Sequence, residues 1–177
     1  CFSPDAILDS GAMPNLITAA DQNLRTALFG PSIKRPDGSP EIYVMGPREL
    51  CHTKMDTMPA GQFCTWFIMG GFFLCRMSAW RQIGGFDKQI FLYVEDVDLS
   101  IRMVQANFSL MIVPEAQVIH FGGQSSRISW SVKWRKDWHQ TWSRLYVLAK
   151  HGSVMEAKQE AICTFRQKAC KALLYAL

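Results

Sequence analysis

The stretch FLYVEDVDLSIR, residues 91–102, places Glu95, Asp96 and Asp98 within four positions, between apolar flanks and at the head of a helical pattern. Carboxylates at a helix start can simply cap it and complement its dipole, for about 0.3–1 kcal/mol each. One Asp would need nothing more. Three repel one another, and Phe91 and Tyr93 beside them imply partial burial, which raises the cost of ionisation. Such a group calls for a cation, a substrate hydroxyl or both, although structural networks also crowd acids. His120 closes a strand-like run just before Gly122-Gly123, and Asp5 follows Pro4. Taken singly, His120 reads as a satisfied structural residue and Asp5 as a turn residue. Taken with the acids, they put oxygen and imidazole ligands at strand ends, where α/β sheets bind ligands. That mixed set suits Mg²⁺ or Mn²⁺ better than structural zinc.

The elements that must hold these residues are read from apolar spacing. DSGAMPNLITAADQNLRTALFGP has helical spacing at Leu16, Ile17, Ala20 and Leu24, ended by Gly30-Pro31. KRPDGSPE, residues 34–41, is a turn rich in Pro, Asp and Gly, and 41–62 read as a loop. Residues 63–75 read as a buried strand interrupted by Gly70-Gly71, a pairing that signals a bulge or a close approach by another group. A short helix follows over 78–83, and the GGFD turn, 84–87, redirects the chain. A second helix is expected from Asp98 to about Asn107, with Asp98 paired to Arg102 and with Leu99 and Met103 facing the core. SLMIV, Pro114 and AQVIHF are strand-like. Beyond Ser129 come two helices. The first carries Trp130, Trp134, Trp138 and Trp142 at four-residue spacing. Strands alternating with helices, then helices alone, predict an α/β domain with a helical extension.

Composition agrees with one packed unit. The 177 residues are 49% hydrophobic and 19% charged, which excludes a disordered chain. The longest uncharged apolar run, Phe63 to Cys75, stops at Arg76, short of the roughly 20 residues a spanning helix needs. No secretory signal is visible, and the Asn107-Phe108-Ser109 glycosylation pattern is short enough to arise by chance. The six cysteines form no C-x-x-C pair, and several lie in apolar runs, so reduced thiols are expected. Residues 1–126 carry 9 basic and 12 acidic side chains, and residues 127–177 carry 10 and 3. The basic surplus of +4 therefore belongs wholly to the tail.

The run FIMGGFFLCRMSAWRQIGGFDKQIFLYVEDVDLSIRMVQANFSLMIVPEAQVIHFGG resembles the C-terminal half of a family 2 glycosyltransferase with the GT-A fold. It is most similar in look to bacterial rhamnosyltransferase-like and galactofuranosyltransferase-like members. The likeness extends over residues 1 to about 150, and GGFD, EDVDL and VP-A-VIH-GG-S in order and spacing make it specific. The resemblance implies part of a GT-A, nucleotide-diphospho-sugar transferase, α/β/α sandwich. Residues 1–126 would be its acceptor-binding and catalytic part, and 127–177 a basic, Trp-rich helical extension.

Roles follow from the same resemblance. Asp96 matches the catalytic base that takes the proton of the acceptor hydroxyl, and Glu95 matches the acid that holds acceptor or base in place. His120 and Asp5 match the residues that bind the divalent metal, Mg²⁺ or Mn²⁺. Trp66, Gly70 and Gly71 match the stretch lining the sugar and acceptor pocket. Ser3 stands where the family usually has Asn, a departure expected to touch packing around Asp5 more than chemistry. The family's nucleotide-binding half would precede Cys1, so the chain is expected to be a piece of a longer protein or a processed product. By itself it is expected to bind a nucleotide-sugar poorly and to fold unstably, with an open sheet edge.

The chemistry suits these residue types, because a diphosphate leaving group needs a cation as Lewis acid and an alcohol nucleophile needs a carboxylate in reach. One base opposite one leaving group implies inversion. The implied function is transfer of a sugar, rhamnose first among candidates, from a nucleotide-diphosphate sugar to a saccharide or lipid-linked acceptor in cell-surface polysaccharide synthesis. The implied place is the cytoplasm, peripheral on the inner face of the cell membrane. Within residues 130–150 the Trp row can be core or a membrane surface contact, and no nucleic-acid motif is present. The rival reading is a truncated, non-catalytic remnant or a membrane-associated scaffolding module. A metal hydrolase is disfavoured because no third ligand is evident.

Overall fold

The computed structural model describes residues 1, 3–46, 53–55, 57–122 and 129–175. In chain order its elements are β1 (Ala6–Leu8), α1 (Ala12–Gln22), β2 (Thr26–Lys34), β3 (Ile42–Val44), β4 (Thr53–Met55), β5 (Phe63–Thr65) and β6 (Leu74–Cys75). There follow α2 (Met77–Ile83), α3 (Glu95–Gln105), β7 (Ser109–His120), α4 (Trp130–His151) and α5 (Val154–Tyr175). The main sheet has the order β1-β7-β2-β6, with β5 also on β7, while β3 and β4 form a separate antiparallel pair.

The long strand β7 organises the sheet. Along one side it runs parallel to β2, and along the other it pairs antiparallel with β5 through Leu110–Ile112 and with β1 through Val118–His120. Because strand side chains alternate between faces, neighbours in sequence enter different cores. Phe29, Met111 and Val113 meet Ala12, Leu16 and Ala19 of α1. Leu28 and Leu110 meet Ala79 of α2 and Leu99 and Met103 of α3. The sheet thus lies between helices on both faces, the expected α/β/α layering. A third cluster, Met45, Phe67, Ile90, Val97 and Val147, joins α3 and α4 to the loops beside them.

Five expectations are corrected here. The helix expected up to Gly30-Pro31 ends at Gln22, and Gly30-Pro31 lies inside β2. Eight of the nine β2 residues are buried, so the strand has no polar alternation to mark it. Pro31 is accommodated because the β2–β7 register shifts between Pro31 and Ser32, opposite the segment holding Pro114. Ile17 and Leu24, expected on the helix's apolar face, are 47% and 74% exposed. Residues 63–75 form two short strands, with an irregular segment from Trp66 to Phe73 between them. The expected loop over 41–62 contains β3 and β4. Finally, α3 begins three residues before Asp98, so the whole acid cluster falls in its first turn.

Other expectations hold. Leu99 and Met103 are 1% and 0% exposed, and Asp98 pairs with Arg102 at 2.7 Å. Gly84 takes a left-handed φ of 79° to end α2, as a redirecting GGFD turn requires. Cys1, Cys64, Cys75, Cys163 and Cys170 are free. The expected boundary at 126/127 lies outside the described residues, as do Cys51 and Gly123. Among the described residues, no helix is long and apolar enough to cross a membrane.

Candidate active site

Glu95 and Asp96 open α3, where the unpaired N–H groups of the first turn favour negative charge. The loop delivering them is strained: Tyr93 and Val94 both adopt left-handed φ, 64° and 66°. For residues with a side chain, and a β-branched one above all, this costs about 1–3 kcal/mol each. The strain is held by packing and hydrogen bonding. Val94 rests on the cluster of Phe67, Val97 and Val147, which are 1%, 3% and 1% exposed. Each such side chain contributes about 1.5–3 kcal/mol on burial, so together they outweigh the strain. Ser143 Oγ on α4 donates to the Leu92 carbonyl at 2.9 Å, fixing the loop from the other side.

Asp96 points at the Trp66–Phe73 segment. Its Oδ2 accepts the Gly70 N–H at 2.9 Å and its Oδ1 accepts its neighbour Val97's N–H at 2.9 Å. One turn on, Ser100 Oγ accepts the Ile68 N–H at 3.2 Å, so two α3 side chains hold this segment. The close approach signalled by the double glycine is realised on both sides. A Cβ on Gly70 would stand 3.3 Å from Asp96 Oδ2, and one on Gly71 would stand 3.6 Å from the His120 ring. Adjacent glycines therefore separate the proposed base from the proposed metal ligand.

The second half of the site comes from the β1–β7 pairing. Ala6 sits opposite His120, and the Phe121 N–H donates to the Asp5 carbonyl at 2.9 Å. That register brings Asp5 Oδ1 to 3.5 Å from His120 Nε2. Ser3 binds both neighbours: its N–H donates to the Gly71 carbonyl at 2.9 Å and its hydroxyl to Asp5 Oδ1. A residue unmarked by the sequence reading completes the group. Glu41, beyond the turn that follows β2, places Oε2 at 3.3 Å from His120 Nδ1. With the ring proton on Nδ1 and donated to Glu41, Nε2 keeps its lone pair beside Asp5, the tautomer a metal ligand requires. Asp5 and His120 thus offer one carboxylate oxygen and one imidazole nitrogen, both largely buried, a donor pair whose chemistry fits Mg²⁺ or Mn²⁺. Among the described residues no cluster of three or more His, Cys, Asp or Glu that could hold a metal is assembled.

The three acids of the cluster diverge in chemistry. Burial, then the charge of Asp96, pushes the Glu95 carboxyl above its usual range, and its Oε2 is buried with no hydrogen-bond partner among the described residues. A raised carboxyl stabilises the fold only at low pH, and that contribution is lost as pH rises through its pKa. At neutral pH an ionised Glu95 therefore weighs on the fold, a cost that fits a functional group. Asp98 has the opposite character. Burial opposes its ionisation, but hydrogen bonds from His151, Lys150 and Arg102 prevail and hold it far below the usual carboxylate range. As expected it lies in the first turn of α3 and pairs with Arg102, and it is also a fully buried junction between α3 and the end of α4. Lys150 also reaches Asp87 at 2.6 Å, and Tyr146 Oη donates to Asp87 at 2.9 Å.

Trp66 stands at the head of the glycine segment, 42% exposed. A cavity of about 540 Å³ between the start of α3 and the α4–α5 pair is lined by none of the predicted site residues. The predicted titratable groups converge instead across Gly70-Gly71.

No protein-family model matches the chain. It is 32% identical over 143 residues to N-acetylglucosaminyl-diphospho-decaprenol L-rhamnosyltransferase of Mycobacterium tuberculosis, strains CDC 1551 / Oshkosh and ATCC 25618 / H37Rv, a match taking in 70% of this chain and 47% of that protein. It is 35% identical over 76 residues to Rhamnosyltransferase WbbL of Escherichia coli K12, covering 43% of this chain and 29% of that one. The chain thus spans about half the length of the mycobacterial relatives it matches. Among solved structures, GalNAc-T7 with UDP, GalNAc and Mn²⁺ superposes with a TM-score of 0.56 at 14% identity, over 81% of this chain and 30% of that chain.

Proposed function

Because the chain belongs to the rhamnosyltransferase-like group of family 2 glycosyltransferases with the GT-A fold, we propose that it forms the acceptor-activating part of an inverting sugar transferase. The observation that carries this reading is the placement of Gly70-Gly71 between Asp96 on one side and the Asp5–His120 pair on the other. A sugar lying over two residues without side chains can present its anomeric carbon to a base and its diphosphate to a cation at once.

In this mechanism Asp96 accepts the proton of the acceptor hydroxyl as that oxygen forms a bond to the anomeric carbon. The bond from that carbon to the diphosphate breaks on the opposite face, and the electron pair leaves with the phosphate. Asp96 is held for this by the Gly70 and Val97 N–H groups, and Glu95, with its raised pKa, holds the acceptor beside it. Asp5 and His120 would hold Mg²⁺ or Mn²⁺, with Glu41 fixing the imidazole. Bound there, the cation would supply the Lewis acidity that the diphosphate needs. The names of the rhamnosyltransferase relatives support rhamnose as the sugar, and membership of the GT-A glycosyltransferases supports a nucleotide-diphosphate as its carrier. The mycobacterial name supports a lipid-linked diphosphate acceptor, and with it a role in cell-surface polysaccharide synthesis at the cytoplasmic face of the membrane. Residues 1–126 would do the chemistry and 127–177 would support it.

Two substitutions test the halves of the site. Activity is measured with the chain joined to the donor-binding half of one of its rhamnosyltransferase relatives, since it spans 47% of the mycobacterial protein. His120→Ala is expected to weaken activation by Mn²⁺ at least roughly tenfold in a metal titration, the scale on which lost ligand orientation acts; an unchanged titration would remove His120 from the metal site. Gly70→Ala forces Asp96 to yield a few tenths of an ångström. Transfer should fall by roughly tenfold or more while the melting temperature shifts little. Full turnover in G70A would mean that Asp96 need not approach this segment.

A further inference from the structure

The tryptophan row of α4 is not core. Trp130, Trp134, Trp138 and Trp142 are 87%, 66%, 57% and 51% exposed. Ser143 and Val147, the two buried residues of that helix, each follow a tryptophan by five positions, about 140° around the helix. The row therefore faces away from the domain, while the opposite face grips the strained loop through Ser143 and the Asp98 junction through Lys150 and His151. Trp134 and Trp138 stack at 5.9 Å, and the Lys133 ammonium lies 5.7 Å from the Trp130 ring. Phe91, 78% exposed in the loop leading to Glu95, packs in a tilted ring contact, centroids 4.8 Å apart, on His139, the residue after Trp138. Exposed aromatics thus run from the helix to the edge of the candidate active site.

We propose that this face of α4, with Phe91, docks on an anionic lipid surface. Charge favours that occupant: residues 127–177 carry 10 basic and 3 acidic side chains, and Lys133 and Arg135, beside the row, make no ion pair among the described residues. Indole rings flanked by Lys and Arg are the composition that settles at the headgroup level of a bilayer. A second copy of the chain is disfavoured, since it would set two such basic surfaces together. Its contact area is also small. The four indoles at these exposures offer roughly 400–650 Å², against about 800 Å² per partner in a standard interface. Docking does not depend on the transfer reading. Where both hold, α4 lies along the membrane with the loop carrying Asp96 fixed to its inner side, next to acceptors embedded in lipid.

Co-sedimentation of the 177-residue chain with phosphatidylcholine vesicles, with and without phosphatidylglycerol, tests the proposal. Binding is expected to the mixed vesicles, with a blue shift of Trp fluorescence, and quenching by brominated acyl chains in the unaltered protein. W134A/W138A and K133E/R135E, both at exposed positions, should each weaken binding by roughly tenfold or more at unchanged circular dichroism. D96N should bind as the parent does, which separates docking from catalysis. No quenching by brominated lipid would overturn the proposal, as would equal vesicle binding by W134A/W138A. So would a concentration-dependent dimer that dissociates in W134A/W138A while the parent ignores vesicles.

Discussion

Asp96→Asn is expected to lower sugar transfer by about 10²–10⁴-fold, the range supplied by a positioned general base, with the fold and the binding of nucleotide diphosphate with Mn²⁺ preserved. Asparagine keeps one acceptor oxygen where Asp96 uses two, so it can hold the Gly70 or the Val97 N–H but not both; the bond from the Ile68 N–H to Ser100 still holds the segment while the proton acceptor is lost. The comparison is made by initial rates in the chain joined to a relative's donor-binding half, with calorimetry of nucleotide diphosphate alongside. Transfer retained within threefold would remove Asp96 as the base. Loss of nucleotide binding in parallel with transfer would instead assign Asp96 to the donor site.

Asp98→Ala is the change with the largest expected effect on stability. It leaves Arg102, Lys150 and His151 facing a buried gap that one carboxylate had neutralised. Removing one partner of a buried charge group costs about 3–5 kcal/mol, which for a chain of this length corresponds to a fall of roughly 6–20 °C in melting temperature. Arg144→Ala breaks a pair of similar geometry, 3.0 Å to Glu160, but with the arginine half exposed. Its cost should stay within about 1 kcal/mol. Because the Asp98 carboxyl lies far below its ordinary range in the folded chain, its stabilisation is complete above about pH 4–5 and drains away as pH falls below about 3.9. Melting temperatures followed from pH 7 down to pH 3 should therefore fall more steeply for the parent than for D98A. Equal slopes would show that other carboxylates govern acid unfolding.

The two substitutions mark where sequence reading succeeded and where it stopped. Glu95 and Asp96 were legible because crowding like charges beside aromatics is costly, and Gly70-Gly71 because bulky strands seldom carry paired glycines. Asp5 and His120, each an ordinary turn or structural residue when taken singly, were grouped as ligands only beside the acids and by the resemblance; the β1–β7 register that sets them together is a long-range pairing that local spacing does not carry. Glu41 carried no local signal, since its contact with His120 spans 79 positions. Asp98 was recognised as Arg102's partner, an i,i+4 relation, but not as the junction with α4, which depends on how distant helices pack. The strand β2 was hidden for a related reason: burial on both faces erases alternation, and Gly30-Pro31 imitates a helix stop. The Trp row was visible as a pattern, while its outward direction was set by Ser143 and Val147 facing the domain.

The strained loop links these observations. Tyr93 and Val94 are held in left-handed conformations by α4 and the cluster around Phe67, and release of that hold would let the first turn of α3 shift with its two carboxylates. The stability provided by Asp98, Lys150 and His151 is therefore stability of the site, beyond that of the extension.

The central claim is that Asp96 and the Asp5–His120 pair act across Gly70-Gly71 in a single displacement. The measurement that tests it most directly is the anomeric configuration of the product, read by NMR after transfer from a nucleotide-diphosphate rhamnose to a lipid-linked saccharide acceptor. Inversion relative to the donor is the predicted result, and a product that retains the donor's configuration would contradict it.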